Sequence, residues 1–99
     1  MPYPRWKTNA LSRWRGFSCV RDISPSEEAD AKLFIRRLEN DPFDIIARRD
    51  QAGEWYAIVS GQYGRRIGVG YLIDKARCEV NVFGFEFLPP LQTGPEEEP

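Results

Sequence analysis

Glu54-Trp55-Tyr56-Ala57-Ile58-Val59-Ser60-Gly61, Ile67-Gly68-Val69-Gly70-Tyr71-Leu72-Ile73-Asp74 and Cys78-Glu79-Val80-Asn81-Val82-Phe83-Gly84-Phe85-Glu86-Phe87 are three β-rich runs. Short polar connections separate them, Tyr63-Gly64-Arg65-Arg66 and Asp74-Lys75-Ala76-Arg77, which is how an antiparallel meander is written in sequence. In the middle run Ile67, Val69, Tyr71 and Ile73 share one face, while Gly68, Gly70 and Leu72 share the other. Two glycines on one face leave a shallow groove or permit strong twist. In the last run, strict alternation sets Phe83, Phe85 and Phe87 on one face and Val80 and Val82 on the opposite one.

Upstream, Phe43-Asp44-Ile45-Ile46-Ala47-Arg48-Arg49 reads as a further strand, turned back into the Trp55 run by Asp50-Gln51-Ala52-Gly53. Before it, Ser24-Pro25-Ser26-Glu27 opens a helix. Ser24 caps, Pro25 suits the first helical position because its missing N–H has no helical partner there, and Glu27 completes a capping box. The helix runs to about Asn40, where Asn40-Asp41-Pro42 ends it, since the residue before proline is pushed out of α geometry. Ala31, Phe34, Ile35 and Leu38 fall at i, i+3, i+4 and i+7, an apolar stripe for one sheet face. The stripe predicts a core of Phe34, Ile35 and Leu38 with Val69, Tyr71 and Val80. Phe17-Ser18-Cys19-Val20-Arg21-Asp22-Ile23 alternates as a first strand.

These elements make an α+β domain over residues 17–88, one helix packed on an antiparallel sheet in the order β-α-β-β-β-β. Residues 1–16 read as a basic aromatic arm and residues 89–99 as a disordered acidic tail. A single helix covers one sheet face, so the arm or a partner is left to cover the other.

A chain of 99 residues with 29% charged and 41% hydrophobic residues is large enough for one modest core. No apolar stretch is long enough to span a membrane, and no apolar segment follows the basic N-terminal residues as in a secretory signal. A cytoplasmic, bacterial or phage-type protein is the expectation. Cys19 and Cys78 are too few for a zinc site in a chain without histidine, and read as two buried thiols of a reducing compartment. The missing histidine also removes Ser-His and Cys-His nucleophile pairs. No phosphate-cradling loop is present, because the Gly64–Gly70 glycines lead into a strand and not a helix N-terminus. No cofactor or metal is expected.

Charge is balanced overall but unevenly spread. Arg5, Lys7, Arg13, Arg15 and Arg21 face Asp22 alone in residues 1–24, while Glu96, Glu97 and Glu98 crowd the other end. Tyr3, Trp6 and Trp14 interleave with the basic residues, as contact with a phosphate backbone and stacking on bases would require. The chain's net charge of −1 argues the other way. Read without a ligand, the tryptophans anchor the arm on its own domain. Arg48-Arg49 and Arg65-Arg66 read as clamps for phosphate or carboxylate at one sheet end, or as edge charges that prevent aggregation.

From Asp41-Pro42-Phe43 through Gly53-Glu54-Trp55-Tyr56 to Arg66-Ile67-Gly68-Val69-Gly70-Tyr71-Leu72-Ile73-Asp74 and Val80-Asn81-Val82, the chain resembles the RelE/ParE family of small bacterial toxins. That family usually has two helices before its sheet, where one is read here. The resemblance implies Arg65, Arg66 and Tyr71 as the catalytic groups of a ribosome-dependent RNase. Phe17 to Ile23, the helix of Glu28 to Leu38, and Trp55 to Tyr63 resemble the SPOR peptidoglycan-binding domain, which implies glycan binding. The residues themselves point to a non-catalytic binding module, toxin-like or inhibitor-like. Trp6, Trp14, Arg13, Arg15, Arg48, Arg49, Arg65 and Arg66 are its expected contacts. Its expected partner is a protein, with nucleic acid or the ribosome as the alternative and a small homo-oligomer as a further one.

Overall fold

The computed structural model describes residues 5–61 and 65–89. The readings of Tyr3, of the Tyr63-Gly64 half of its turn and of the acidic residues 90–99 lie outside them. The elements are β1 (Lys7–Thr8), α1 (Ala10–Ser18), α2 (Pro25–Asn40), β2 (Arg48–Arg49), β3 (Trp55–Ser60), β4 (Arg66–Asp74) and β5 (Glu79–Leu88). The class is α+β, with two helices and a five-stranded sheet in the order β1-β5-β4-β3-β2. All neighbouring strands are antiparallel except β1 and β5, which run parallel.

The α2 boundaries follow the local chemistry. Ser24 Oγ accepts the Glu27 N–H at 3.2 Å, and Glu27 Oε1 accepts the Ser24 N–H at 2.8 Å, closing the capping box in front of Pro25. Ala31, Phe34, Ile35 and Leu38 are buried with Val69, Tyr71 and Val80, so the expected stripe docks as read.

Where the sequence reads as an arm followed by a strand, a second helix forms. Ala10, Trp14 and Phe17 stand at i, i+4 and i+7 and bury one face of α1. The alternation over Phe17–Ile23 is therefore not a strand: the helix ends with Cys19 as its cap, and Val20 is 76% exposed. What precedes α1 is a two-residue parallel strand. Asn9 then takes over the edge of β5, donating from Nδ2 to the Val82 carbonyl (3.1 Å) and accepting the Val82 N–H on Oδ1 (2.7 Å). One side-chain amide thus stands in for a peptide unit where β1 leaves the ladder.

The Phe43–Arg49 strand shortens to β2. Asp41 Oδ1 accepts the Phe43 N–H at 3.1 Å, so residues 41–43 form a turn, and pairing with β3 is confined to Arg48↔Tyr56 and Arg49↔Trp55.

The faces of β5 also differ from strict alternation. Gly70 pairs with Gly84 but Tyr71 pairs with Val82, a β-bulge that leaves Phe83 without a cross-strand partner. The extra residue reverses the parity, so Val80 and Val82 share the covered face with Phe85 and Phe87, while Phe83 lies outside, 51% exposed. Both helices pack on that one face into a single core. Residues 5–16 of the former arm therefore do not cover the second face of the sheet. Cys19 and Cys78 are exposed free thiols, contrary to the buried placement expected from sequence. Cys19 caps a helix and Cys78 ends a turn at a left-handed φ of 53°, so neither occupies the strand interior that would bury it.

Candidate binding face

The uncovered sheet face carries Tyr56, Ile58, Leu72 and Phe83, which are 46%, 53%, 37% and 51% exposed, and Ile46 beside β2 is fully exposed. An exposed aliphatic side chain is ordinary, whereas five large ones gathered on one side of a small domain are what an interaction surface looks like. The strand pattern puts them there: Tyr56 and Ile58 alternate with the inward Trp55 and Ala57, and the bulge adds Phe83.

A groove of about 520 Å³ crosses this face, running from Leu88 and Glu86 on β5 over Gly68 to Ile58, Tyr56, Ile46 and Arg48. Its size falls within the range of about 300–1,000 Å³ typical of ligand clefts. Gly68 makes its floor. A Cβ there would lie 2.9 Å from Leu88 Cδ1, so the absent side chain is what admits Leu88 and leaves the depression. At the rim, Arg66 Nη1 donates to the Pro89 carbonyl at 2.9 Å, and Arg48 lines the opposite side. Tyr56 Oη donates to Glu54 Oε1 at 2.7 Å, and this bond to a carboxylate holds its phenol above the ordinary value. The face is thus apolar at its centre, with Arg48 and Arg66 balanced by Glu54 and Glu86.

The arginine pairs separate, because consecutive residues of a strand point to opposite faces. Arg65 turns to the helix side, where Nε reaches Glu27 Oε2 (3.2 Å) and Nη2 reaches Glu27 Oε1 (2.8 Å) in a bidentate fork. Its Nη2 also donates to the Asp22 carbonyl, and its guanidinium stacks 4.3 Å from the Phe87 ring centre. The arginine beside it is the first cause holding the Glu27 carboxyl below its ordinary range. Arg49 lies over Trp55, 5.4 Å from the ring centre. What the fold brings to one groove is Arg48 with Arg66, one member of each pair.

Trp14 is 1% exposed, in edge contact with Phe85 (5.2 Å between centroids), and its Nε1 donates to Glu28 Oε1 at 2.9 Å. That bond is the leading cause holding Glu28 below the ordinary carboxylate range. Trp6 is half-buried, its N–H bonded to the Glu39 carbonyl (2.8 Å) and its ring edge-on to Phe43 (5.7 Å). Arg13 and Arg15 are exposed on α1. Tyr71 is fully buried on the covered face against Phe34, and its hydroxyl has no hydrogen-bond partner there. Burial pushes its phenol up to about 12. Arg65, Arg66 and Tyr71 therefore lie in three different settings and converge on no common point.

Sequence reasoning missed Tyr56, Ile58, Phe83 and Glu86 as surface groups. The signal available was the run Trp55–Val59, apolar on both alternating faces although one layer of helix covers a single face. Among the described residues no cluster of carboxylates and thiols has metal-site geometry, and no helix is long and apolar enough to cross a membrane. No family model matches the chain, and neither a curated protein nor a solved structure matches it.

Proposed function

We propose that this chain is a non-catalytic binding module whose uncovered sheet face takes a protein partner, in the manner of a small toxin or inhibitor. The observation that carries the reading is the exposure of Tyr56, Ile58, Leu72 and Phe83 on one face beside a groove. Large aromatic and aliphatic side chains dominate interface energy when a partner desolvates them. Charges of both signs around them favour a protein over a polyanion, which calls for a uniformly basic surface. The proposed contacts are accordingly Arg48 and Arg66 with the apolar face; the core position of Trp14 assigns it to stability instead.

The test compares the tagged chain with a Tyr56→Ser/Ile58→Ser variant of equal folded content in capture from the native host. A protein retained by the parent and lost by the variant supports the reading. Identical retention by both overturns it. In parallel, incubation with total RNA and with translating ribosomes bears on the RNase alternative: cleavage that Arg66→Ala abolishes would replace a binding module with an enzyme.

A further inference from the structure

We infer that the uncovered sheet face takes a second copy of this chain, packed sheet on sheet about a two-fold axis that runs along the strands between β3 and β4; the inference rests on that face being the binding site proposed above. The register of the sheet carries it. Arg48 stands opposite Tyr56, Tyr56 opposite Gly70, and Gly70 opposite Gly84, so one row across four strands reads arginine, tyrosine, glycine, glycine. The neighbouring row repeats the inequality, with Ile58 opposite Gly68 and Gly68 opposite Glu86. The β2–β3 half of the face is therefore high and the β4–β5 half low.

A two-fold interface needs one patch that complements itself. Rotation about an axis between β3 and β4 lays the high half of each copy on the low half of the other. The side chains already lean the right way. A Cβ at Gly70 would lie 3.2 Å from Tyr56 Cε1, so the tyrosine ring covers Gly70 next to the axis, whereas a Cβ at Gly84 would meet nothing within 4 Å. The two Tyr56 rings then meet at the axis as an aromatic pair, inside the roughly 10 Å that separates packed sheets, and Arg48 of each copy comes down on the open floor at Gly84 of the other.

Charge points the same way. Arg48 on β2 and Glu86 on β5 lie at opposite margins of the face, three strand spacings or roughly 14 Å apart, too far to pair within one chain. Among the described residues neither joins an ion pair. The rotation exchanges the two margins and sets Arg48 of each copy beside Glu86 of the other, twice over. Glu54 keeps its bond from the Tyr56 hydroxyl, so no existing contact has to be released. Four strands and the rows from Arg66 to Leu72 offer about 500 Å² per copy, the low end of specific interfaces, so the association is weak and is populated at protein concentrations on the order of 100 μM.

The experiment is sedimentation equilibrium of the full chain over roughly a hundredfold range of concentration reaching the order of 500 μM, a few times the concentration at which an interface of this size is populated. It compares the parent, Arg48→Glu, Glu86→Arg, the double variant R48E/E86R, and an equimolar mixture of the two single variants. The expected result is a monomer–dimer equilibrium for the parent, weakened at least tenfold in each single variant and restored in both the double variant and the mixture. Restoration in the mixture requires that the two residues meet across the interface. Added salt should weaken the parent dimer, because these pairs lie at the margin of the face. Both residues are exposed, and thermal unfolding of each single variant checks that its fold is kept. A parent that stays monomeric throughout overturns the inference, as does a dimer whose strength neither charge reversal changes. The reading of the face is judged separately: a monomeric parent that loses its captured protein in Tyr56→Ser/Ile58→Ser keeps the binding face and assigns it to a different protein.

Discussion

Tyr71 stands opposite Val82, although one step along the ladder Gly70 stands opposite Gly84. Phe83 is the residue left over, and it decides which side of the sheet each later aromatic of β5 occupies. Deleting Phe83 makes the pairing strict, with Val82 and Gly84 adjacent opposite Tyr71 and Gly70, and leaves Phe85 and Phe87 facing the helices. The deletion is therefore expected to keep cooperative thermal unfolding, and Phe83→Ser, at an exposed site, should change stability by less than about 0.5 kcal/mol. Calorimetry of both variants checks this, and a deletion variant that unfolds without cooperativity would show that Phe83 is not the extra residue of the ladder.

Trp14→Ala is expected to destabilise the domain by about 3–5 kcal/mol, because it empties a buried site against Phe85 and leaves the Glu28 carboxylate without its indole donor. Leu38→Ala, at a fully buried position of α2, should cost about 2–5 kcal/mol. Urea denaturation measures both, and a change under about half a kcal/mol in either would mean that its helix is not held by that side chain.

Glu27 ties α2 to the approach of β4: it closes the capping box of α2 and receives Arg65, the residue just before β4. Glu27→Ala should cost about 1–2 kcal/mol through the lost cap. Its folded pKa lies below the ordinary 4.5, so its contribution is present above pH 4.5 and disappears as the pH falls through the folded value. Arg65→Met removes the leading cause of that shift. The acid limb of a stability–pH curve should therefore flatten in Arg65→Met, and an unchanged limb would show that the ion pair carries none of it.

Tyr71→Phe removes a buried hydroxyl that has no partner in the core, and is expected to raise stability by about 1 kcal/mol. The folded phenol titrates near 12 against an unfolded value of 10.0, so its contribution is complete below pH 10 and is lost as the pH climbs toward 12. Alkaline unfolding should shift upward in the phenylalanine variant. A loss of stability instead would assign the hydroxyl a structural partner.

Gly68→Val tests the groove directly. The new side chain meets the flexible end of the half-buried Leu88, and valine suits a strand, so stability should change by no more than about 1 kcal/mol. Partner retention should nevertheless fall, because the floor of the groove is filled. Undiminished retention would place the contact elsewhere on the face.

Part of this was legible in the chain itself. The Ser24–Glu27 capping box, the Ala31–Leu38 stripe and the Ile67–Ile73 alternation are local signals. Each is governed by groups a few residues apart, and the structure shows each as read. The second helix was legible too, in Ala10, Trp14 and Phe17, but the competing alternation of Phe17–Ile23 obscured it. Nine residues with glycine at position 16 make a weak helix by themselves, and it is docking of Trp14 on Phe85 that stabilises it.

By itself, then, the sequence determined where α2 and the meander lie and which face of β4 is buried, because helix caps and side-chain periods act within a few residues. Only the tertiary structure decided that Asn9 completes the edge of β5, that one extra residue at Phe83 reverses its faces, and that both helices choose the same side of the sheet. Those outcomes depend on groups as far apart as Asn9 and Val82, whose meeting is set by packing the whole core at once.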